Sequence, residues 1–443
     1  MTNILRAPSQ NTKDKITLWL NHLLVLYVFL IPIHNGAKSS LFFTMLALFI
    51  YRRDYWFYLK VAFSNRIVQA FLIFYALHAI GMLYTDNIDY GKDQMDRLKY
   101  LLFPLVFLSF LDIRFVLRIF LAFIIGMFVS ILFSYLVHLQ VLPYEFSIGK
   151  YEIWETFAYS PAPFLAHGEH GVGISFVVGF LLYYILNFKN EEKFKKIIAF
   201  VGLVFALVNM SFIASRTGYM TLVVVIFITI VITYRENIKL LLSSIFLVFI
   251  VCLSIYNFSE TVNQRVNVAI TNFEKGIENK EYYENGSTAQ RIGLTIYSIE
   301  VIKENFLFGA GTGDHMDLLR AKIPDEEKRL REIAKPHNVY VQIPMQIGII
   351  GLASFFFLIY SLLSYKNISR EKKDIIVILV ASTLVFMAGG MFYGTFELPL
   401  IVVLISAMIT NKEQTITFNN FDKKIFLKYS AFVILFLIIG ITR

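Results

Sequence analysis

Apolar runs separated by short polar connections account for most of the chain. They fall near residues 16–33, 37–51, 66–84, 98–111, 115–139, 171–187, 196–213, 217–234, 239–256, 338–362, 374–393, 396–410 and 424–441. A helix needs about 20 mostly apolar residues to cross roughly 30 Å of hydrocarbon. The pattern therefore predicts an all-α polytopic membrane protein of about 12–13 transmembrane helices, the shortest runs deciding the count.

Two polar intervals interrupt this rhythm. The smaller, near 140–170, holds aromatics, Pro161, Pro163 and the run His167-Gly168-Glu169-His170; the larger spans 257–337. Within the larger, Ser287 followed by Gln290 fits a capping box, which predicts a helix from about Thr288 to Lys303. Arg291 then lies in the first turn, beside free backbone N–H groups and the positive end of the helix dipole, where an anion is stabilised. The domain organisation expected is one integral membrane domain: helices in 1–256 with the small outer segment at 140–170, a large outer loop with helices of its own at 257–337, and further helices in 338–443.

Charge sets the orientation. Arg52, Arg53, Lys60 and Arg66 fill the second connection, Lys189, Lys193, Lys195 and Lys196 the sixth, and Lys366, Arg370, Lys372 and Lys373 the tenth. Lys and Arg near helix ends stay cytoplasmic, so these even-numbered connections and the amino terminus face the cytoplasm. The odd connections, including 257–337, face the other side. Lys92, Arg97 and Lys99 in the third connection break the rule, which makes them candidates for function.

Composition agrees. The 443 residues are 57% hydrophobic and 16% charged, with a mean hydropathy of +0.62, far from a soluble domain. Phe (44) and Tyr (25) are abundant and Pro (10) is scarce, which suits helices rather than the alternating strands of a membrane barrel. The net charge of +9 comes from clusters between apolar runs, not from a basic face, so nucleic-acid binding is excluded. The single Cys252 lies in an apolar run, excluding a disulfide framework and a cysteine metal site. Met1 to Lys15 is polar and the first apolar run lacks a small-residue cleavage pattern, so that run reads as an anchor.

Candidate chemistry sits at the borders of the polar intervals. Arg216 lies in Ser215-Arg216-Thr217-Gly218, a connection too short to be a solvated loop. A cation there either snorkels to lipid headgroups or is paired with something negative; its place on the outer side, where positive charge is unfavoured, points to function. Arg291 reads equally as an ordinary solvated first-turn residue, and His337, between Pro336 and Asn338 at the mouth of the next helix, as a cap. Together, two guanidinium groups and one imidazole from three separated segments are what transfer from a lipid diphosphate requires. Arginine matches phosphate oxygens bidentately and stays charged; histidine accepts a proton near neutral pH.

Other groupings are weaker. His167 and His170 have metal-like spacing but no third ligand at recognisable distance, so a polar rim over the substrate is preferred to a metal. Asp86, Asp89, Asp93 and Asp96 before Arg97 and Lys99 read as a solvated helix face, with Arg97 or Lys99 positioning phosphate as the alternative. Gly309, Gly311 and Gly313 lack the Lys-Ser/Thr of a P-loop, which excludes a nucleotide site. His22, His78 and His138 are isolated, with no acidic chain to form a proton relay. Neither mid-helix charges nor the paired broken helices of a transporter are evident.

At these residues the sequence resembles the O-antigen ligase and polymerase superfamily of bacterial envelope proteins. The resemblance rests on Ser215-Arg216-Thr217-Gly218, the long outer loop, Pro336-His337-Asn338, Phe308-Gly309-Ala310-Gly311, and the run from Gln346 to Leu352. It implies a membrane glycosyltransferase of C-type architecture in the bacterial inner membrane. Its site would face the periplasm and need neither metal, other cofactor nor nucleotide sugar. The implied donor is a glycan on undecaprenyl diphosphate. In the ligase branch, the one expected here, the acceptor is a sugar hydroxyl of lipid A-core; in the polymerase branch it is another lipid-linked repeat. A protein-glycosylating ligase and a lipid-linked oligosaccharide flippase are further alternatives. The family's functional residues carry over to Arg216, Arg291 and His337, with Arg97, Lys99, His167, His170 and Asn338 as further substrate-binding candidates. Ligases of the family are expected to have 12 spans, so the run at 424–441 or one of the shorter runs is the departure.

Overall fold

The computed structural model describes residues 8–411 apart from 149–150, 154–155, 158–159, 189–191, 280–281, 283–285, 334, 367 and 390–393. The run at 424–441 thus lies outside the described residues. The chain folds as an all-α membrane protein with one small β-hairpin. In order come α1 (Gln10–Leu30), α2 (Asn35–Tyr51), α3 (Tyr55–Phe63), α4 (Arg66–Gly81), α5 (Ile88–Leu98), α6 (Phe103–Phe110) and α7 (Val116–His138). The hairpin β1 (Ser147–Ile148) and β2 (Tyr151–Glu152) pairs antiparallel, Ser147 opposite Glu152. There follow α8 (His167–Asn187), α9 (Lys193–Met210), α10 (Arg216–Tyr234), α11 (Ile238–Phe258), α12 (Glu260–Asn279), α13 (Gly286–Glu304) and α14 (His315–Lys322). Finally come α15 (Val339–Leu363), α16 (Arg370–Met387) and α17 (Glu397–Ile409).

Local chemistry explains where the helix ends differ from the apolar runs. The first helix starts at Gln10 rather than near 16 because the Ser9 hydroxyl accepts from Thr12 N at 3.4 Å and caps the polar turn. The run at 98–111 is not one helix: a 3₁₀ turn over Lys99–Leu102 leads into α6, which carries Pro104 in its first turn, where a missing N–H costs nothing. The polar α5 and the short α3 were not expected from hydropathy. Among the described residues, five helices are long and apolar enough to cross a membrane: Arg66–Tyr84, Ile113–His138, His167–Asn187, Arg216–Tyr234 and Val339–Leu363. The helices α1, α9 and α16 fall short of that standard because each opens in a run of charged residues, and α2 and α17 because they are short.

Pairwise contacts fix the helix directions. α4 and α15 run antiparallel, with Asn65 donating to the Tyr365 hydroxyl at 3.1 Å at one end and Phe74 against Phe355 midway. α8 and α10 run parallel, joined through α9: Ser175 donates to Gly218 O at 3.1 Å and Asn187 to Thr233 at 2.9 Å. α16 returns antiparallel to α10, from Arg235–Asp374 at 3.5 Å to Thr217 and the Gly389 carbonyl at 3.5 Å. The cationic clusters thereby gather at one end of the bundle, where Arg370 also meets Glu236 at 3.0 Å. The two polar intervals and the starts of α2, α8, α10, α15 and α17 gather at the other.

One transmembrane helix is broken, which the sequence reading did not anticipate. Ile347 and Gly348 leave the helical region inside α15, Gly348 at φ 67°. The freed carbonyls of Met345 and Gln346 accept from Ala310 N at 2.7 Å and Gly311 N at 3.1 Å, and Ile349 N donates to Phe306 O at 2.8 Å. Irregular backbone at such depth is tolerated only when protein satisfies it. The two glycine-rich stretches are therefore one structural joint.

Candidate active site

Arg216 is placed by the four residues around it. The Ser215 hydroxyl caps α10, accepting from Gly218 N at 3.0 Å. Gly218 faces Gly171 of α8 so closely that a Cβ on Gly218 would stand 2.9 Å from the Gly171 Cα. Thr217 ties the turn to Gly389 beyond α16. The capped turn leaves the half-buried Arg216 reaching across to the start of α13, where its Nη1 donates to Thr288 Oγ1 at 2.6 Å and Ser287 Oγ at 3.1 Å. α13 begins at Gly286, two residues before the expected start, and the expected capping serine is an acceptor for Arg216.

Arg291, one turn into α13 and half-buried, lies against Gly389: a Cβ there would stand 3.2 Å from its Nη1. Burial and then the neighbouring Arg216 lower its pKa, yet a guanidinium remains charged at neutral pH. Neither Arg216 nor Arg291 forms an ion pair among the described residues. Two converging guanidinium groups without a carboxylate make a site for an anion with several oxygens.

His337 completes the group. It sits at φ 53°, a conformation rare outside glycine, between the buried Pro336 and Asn338, whose Oδ1 caps α15 by accepting from Tyr340 N at 3.0 Å. Strain of this kind persists where the surroundings enforce it and collects at functional sites. Burial first, then Arg291 and Lys335, hold the imidazole below its ordinary pKa of 6.5, so it is neutral at pH 7 and able to take a proton.

The remaining candidates separate. His167, exposed at the start of α8, lies within electrostatic reach of Arg291. His170 does not form part of a rim: it is fully buried, its ring nitrogens 3.1 Å from Ser130 Oγ of α7 and 3.0 Å from Asn209 Oδ1 of α9, which pack over this part of α8. Arg97 is held by Asp93 at 2.9 Å and Lys99 by Asp96 at 2.6 Å. These cations are paired locally, and Arg97 also acts electrostatically on Lys335, the residue two before His337.

Two residues that the sequence reading missed join the group. Arg265 of α12 acts electrostatically on Arg216 and His167, and Lys335 acts on His337. For Arg265 a signal existed, since Val262, Val266, Ile270 and Phe273 recur at helical spacing. Lys335 had none beyond its place before Pro336.

Residues 201–356 match the family model described as O-antigen ligase, a stretch that includes Arg216, Arg265, Arg291, Lys335 and His337. No curated protein matches the chain. The match supports the O-antigen ligase superfamily and, at that coarse level, a membrane transferase of the ligase or polymerase type.

Proposed function

We propose that this protein is an O-antigen ligase, transferring a glycan from undecaprenyl diphosphate to a sugar hydroxyl of lipid A-core at the periplasmic face of the inner membrane. The observation that carries the reading is the convergence of Arg216, Arg291 and His337 from α10, α13 and the start of α15 at the end of the bundle opposite the cationic clusters. The positive-inside rule supports a periplasmic location for that end.

In this reaction the acceptor oxygen bonds to the anomeric carbon as the bond from that carbon to the diphosphate oxygen breaks. The electron pair leaves with undecaprenyl diphosphate, the anomeric configuration inverts, and the hydroxyl proton passes to the neutral His337 imidazole. Arg216 and Arg291 bind the diphosphate and hold the charge that grows on it. They are fixed in advance by the cap, the Ser287 and Thr288 hydroxyls and Gly389, which is how electrostatic stabilisation is made effective. Two fixed guanidinium charges take the place a divalent cation fills elsewhere, so transfer should proceed in excess EDTA. His167 and Asn338 border the site, Arg265 extends its positive surface, and Arg97 and Lys99 are held in local ion pairs with Asp93 and Asp96.

The test is transfer in detergent: purified protein, an undecaprenyl-diphosphate-linked glycan and lipid A-core, with products resolved by gel. The expected result is a shift of the core lipid to higher mass. Lengthening of the lipid-linked glycan with the core untouched would reject the ligase assignment in favour of a polymerase.

A further inference from the structure

The helix α12 has an apolar side that its packing leaves partly uncovered. Val262, Val266, Ile270 and Phe273 fall on one stripe, the two valines half-buried, Ile270 50% exposed and Phe273 51%. Gln264, Asn267, Thr271 and Glu274 stand exposed on the other side, with the apolar Val268 among them. A third side leans on α13, where a Cβ on Gly286 would stand 2.4 Å from Asn272 Nδ2. An apolar face left open beside polar ones marks a contact with something outside the chain.

What covers the stripe follows from the helix before it. α11 exposes Phe246, Leu247, Phe249 and Leu253, and its last residue, Phe258, is 90% exposed, as expected of a helix with hydrocarbon around it. Ser259 then caps α12, its hydroxyl accepting from Val262 N at 3.3 Å. The Tyr256 hydroxyl donates to Asn267 at 2.8 Å, and the Tyr256 carbonyl accepts from Asn263 at 3.3 Å. In one straight helix the backbones of Tyr256 and Asn267 would lie about 16 Å apart. The chain therefore bends at Ser259, and α12 stays beside the end of α11 instead of carrying the chain away from it. Its apolar stripe continues the surface that ends at Phe258. Glu260 and Glu274 are offset by Arg265 and Lys275, so apolar contact, not attraction to anionic headgroups, is what this helix offers.

We propose that α12 is an interfacial helix. It lies on the leaflet at the end of the bundle that holds Arg216 and Arg291, with Ile270 and Phe273 sunk among the upper acyl chains and Gln264, Asn267 and Thr271 in water. A helix of this kind buries its apolar side roughly 5–10 Å into the boundary between headgroups and chains. The consequence reaches the site through packing: Asn272 backs Gly286, and the next two residues, Ser287 and Thr288, accept from Arg216. The bilayer surface thus supports the turn that holds the arginine, whichever glycan is moved.

The test uses the full chain in a Cys252→Ser background, reconstituted in phosphatidylcholine vesicles, with the fluorophore nitrobenzoxadiazole attached at Phe273→Cys or, on the opposite side of the helix, at Thr271→Cys. Lipids that carry a spin label high on the acyl chain quench a fluorophore at that depth. Their addition should remove about half or more of the emission at Phe273→Cys and little of that at Thr271→Cys, the contrast expected across a helix seated in the interface. Equal quenching at the two positions, or none at either, would overturn the assignment. Blue-shifted emission at Phe273→Cys without quenching would overturn it as well, because a protein surface and not lipid would then cover the stripe. If Phe273→Cys does not fold, Ile270→Cys is read by the same criteria. The readout needs no substrate, so its failure is distinct from a failure of glycan transfer.

Discussion

At the scale of single residues, the candidates for chemistry were legible in residue type and order but their partners were not. Arg216, Arg291 and His337 were each recognisable from a border position, yet each alone read equally well as a cap, a snorkelling cation or a solvated turn. Their convergence favours a shared role over these separate readings, and convergence is a tertiary property. The same limit hid Arg265 and Lys335, and it made His170 look like a rim residue although both its nitrogens are committed to Ser130 and Asn209 in the core. Arg216→Ala and Arg291→Ala should each lower transfer by on the order of 100-fold or more, the usual loss for one preorganised electrostatic donor. Lys303→Ala, exposed on the far end of α13, should change little in the same assay. For His337 the sign of the pH dependence follows from its lowered pKa. The free base is the active form, so kcat/KM should be flat from pH 7 upward and fall only as pH drops below 6.5, through the lowered pKa. A profile still rising between pH 7 and 8 would mean that another group limits the rate.

At the scale of elements, the short motifs prove to be joints rather than signatures. Ser215-Arg216-Thr217-Gly218 supplies a cap, a guanidinium, a tether and a close approach to Gly171 in consecutive positions. Ser215→Ala removes the cap of α10 and should cost about 1 kcal/mol of stability, with a larger fractional loss of activity because Arg216 is the first residue of that helix. The break in α15 is a second joint. A Cβ on Gly348 would stand 2.1 Å from the Leu307 carbonyl oxygen, and its φ of 67° is unfavourable for any other residue. Gly348→Ala should therefore lower the unfolding temperature in detergent by several degrees, given about 1–3 kcal/mol for the backbone conformation alone. An unaltered melting curve would show that the loop at 305–314 is not held by α15. The glycines of both stretches were visible in the sequence, but their mutual hydrogen bonds were not, because hydropathy carries no information on which loop meets which helix.

At the scale of the whole molecule, the alternation of apolar runs was enough to read the all-α polytopic class. Length and charge in the first turns limited the span count, and the polar helices α5 and α12 were invisible to hydropathy because their periodicity is amphipathic. The orientation has a direct check. In a Cys252→Ser background, Lys303→Cys should react with a membrane-impermeant maleimide from the periplasmic side of spheroplasts, and Arg370→Cys only after lysis; the reverse pattern would turn the site toward the cytoplasm. The central claim is that His337 and the two arginines perform glycan transfer from a lipid diphosphate, and the most direct measurement compares wild type with His337→Ala in the purified two-lipid assay while donor binding is followed separately. The account predicts product with wild type, at least 100-fold less with His337→Ala, and undiminished donor binding by the variant, since Arg216 and Arg291 remain. Full transfer activity in His337→Ala would contradict it.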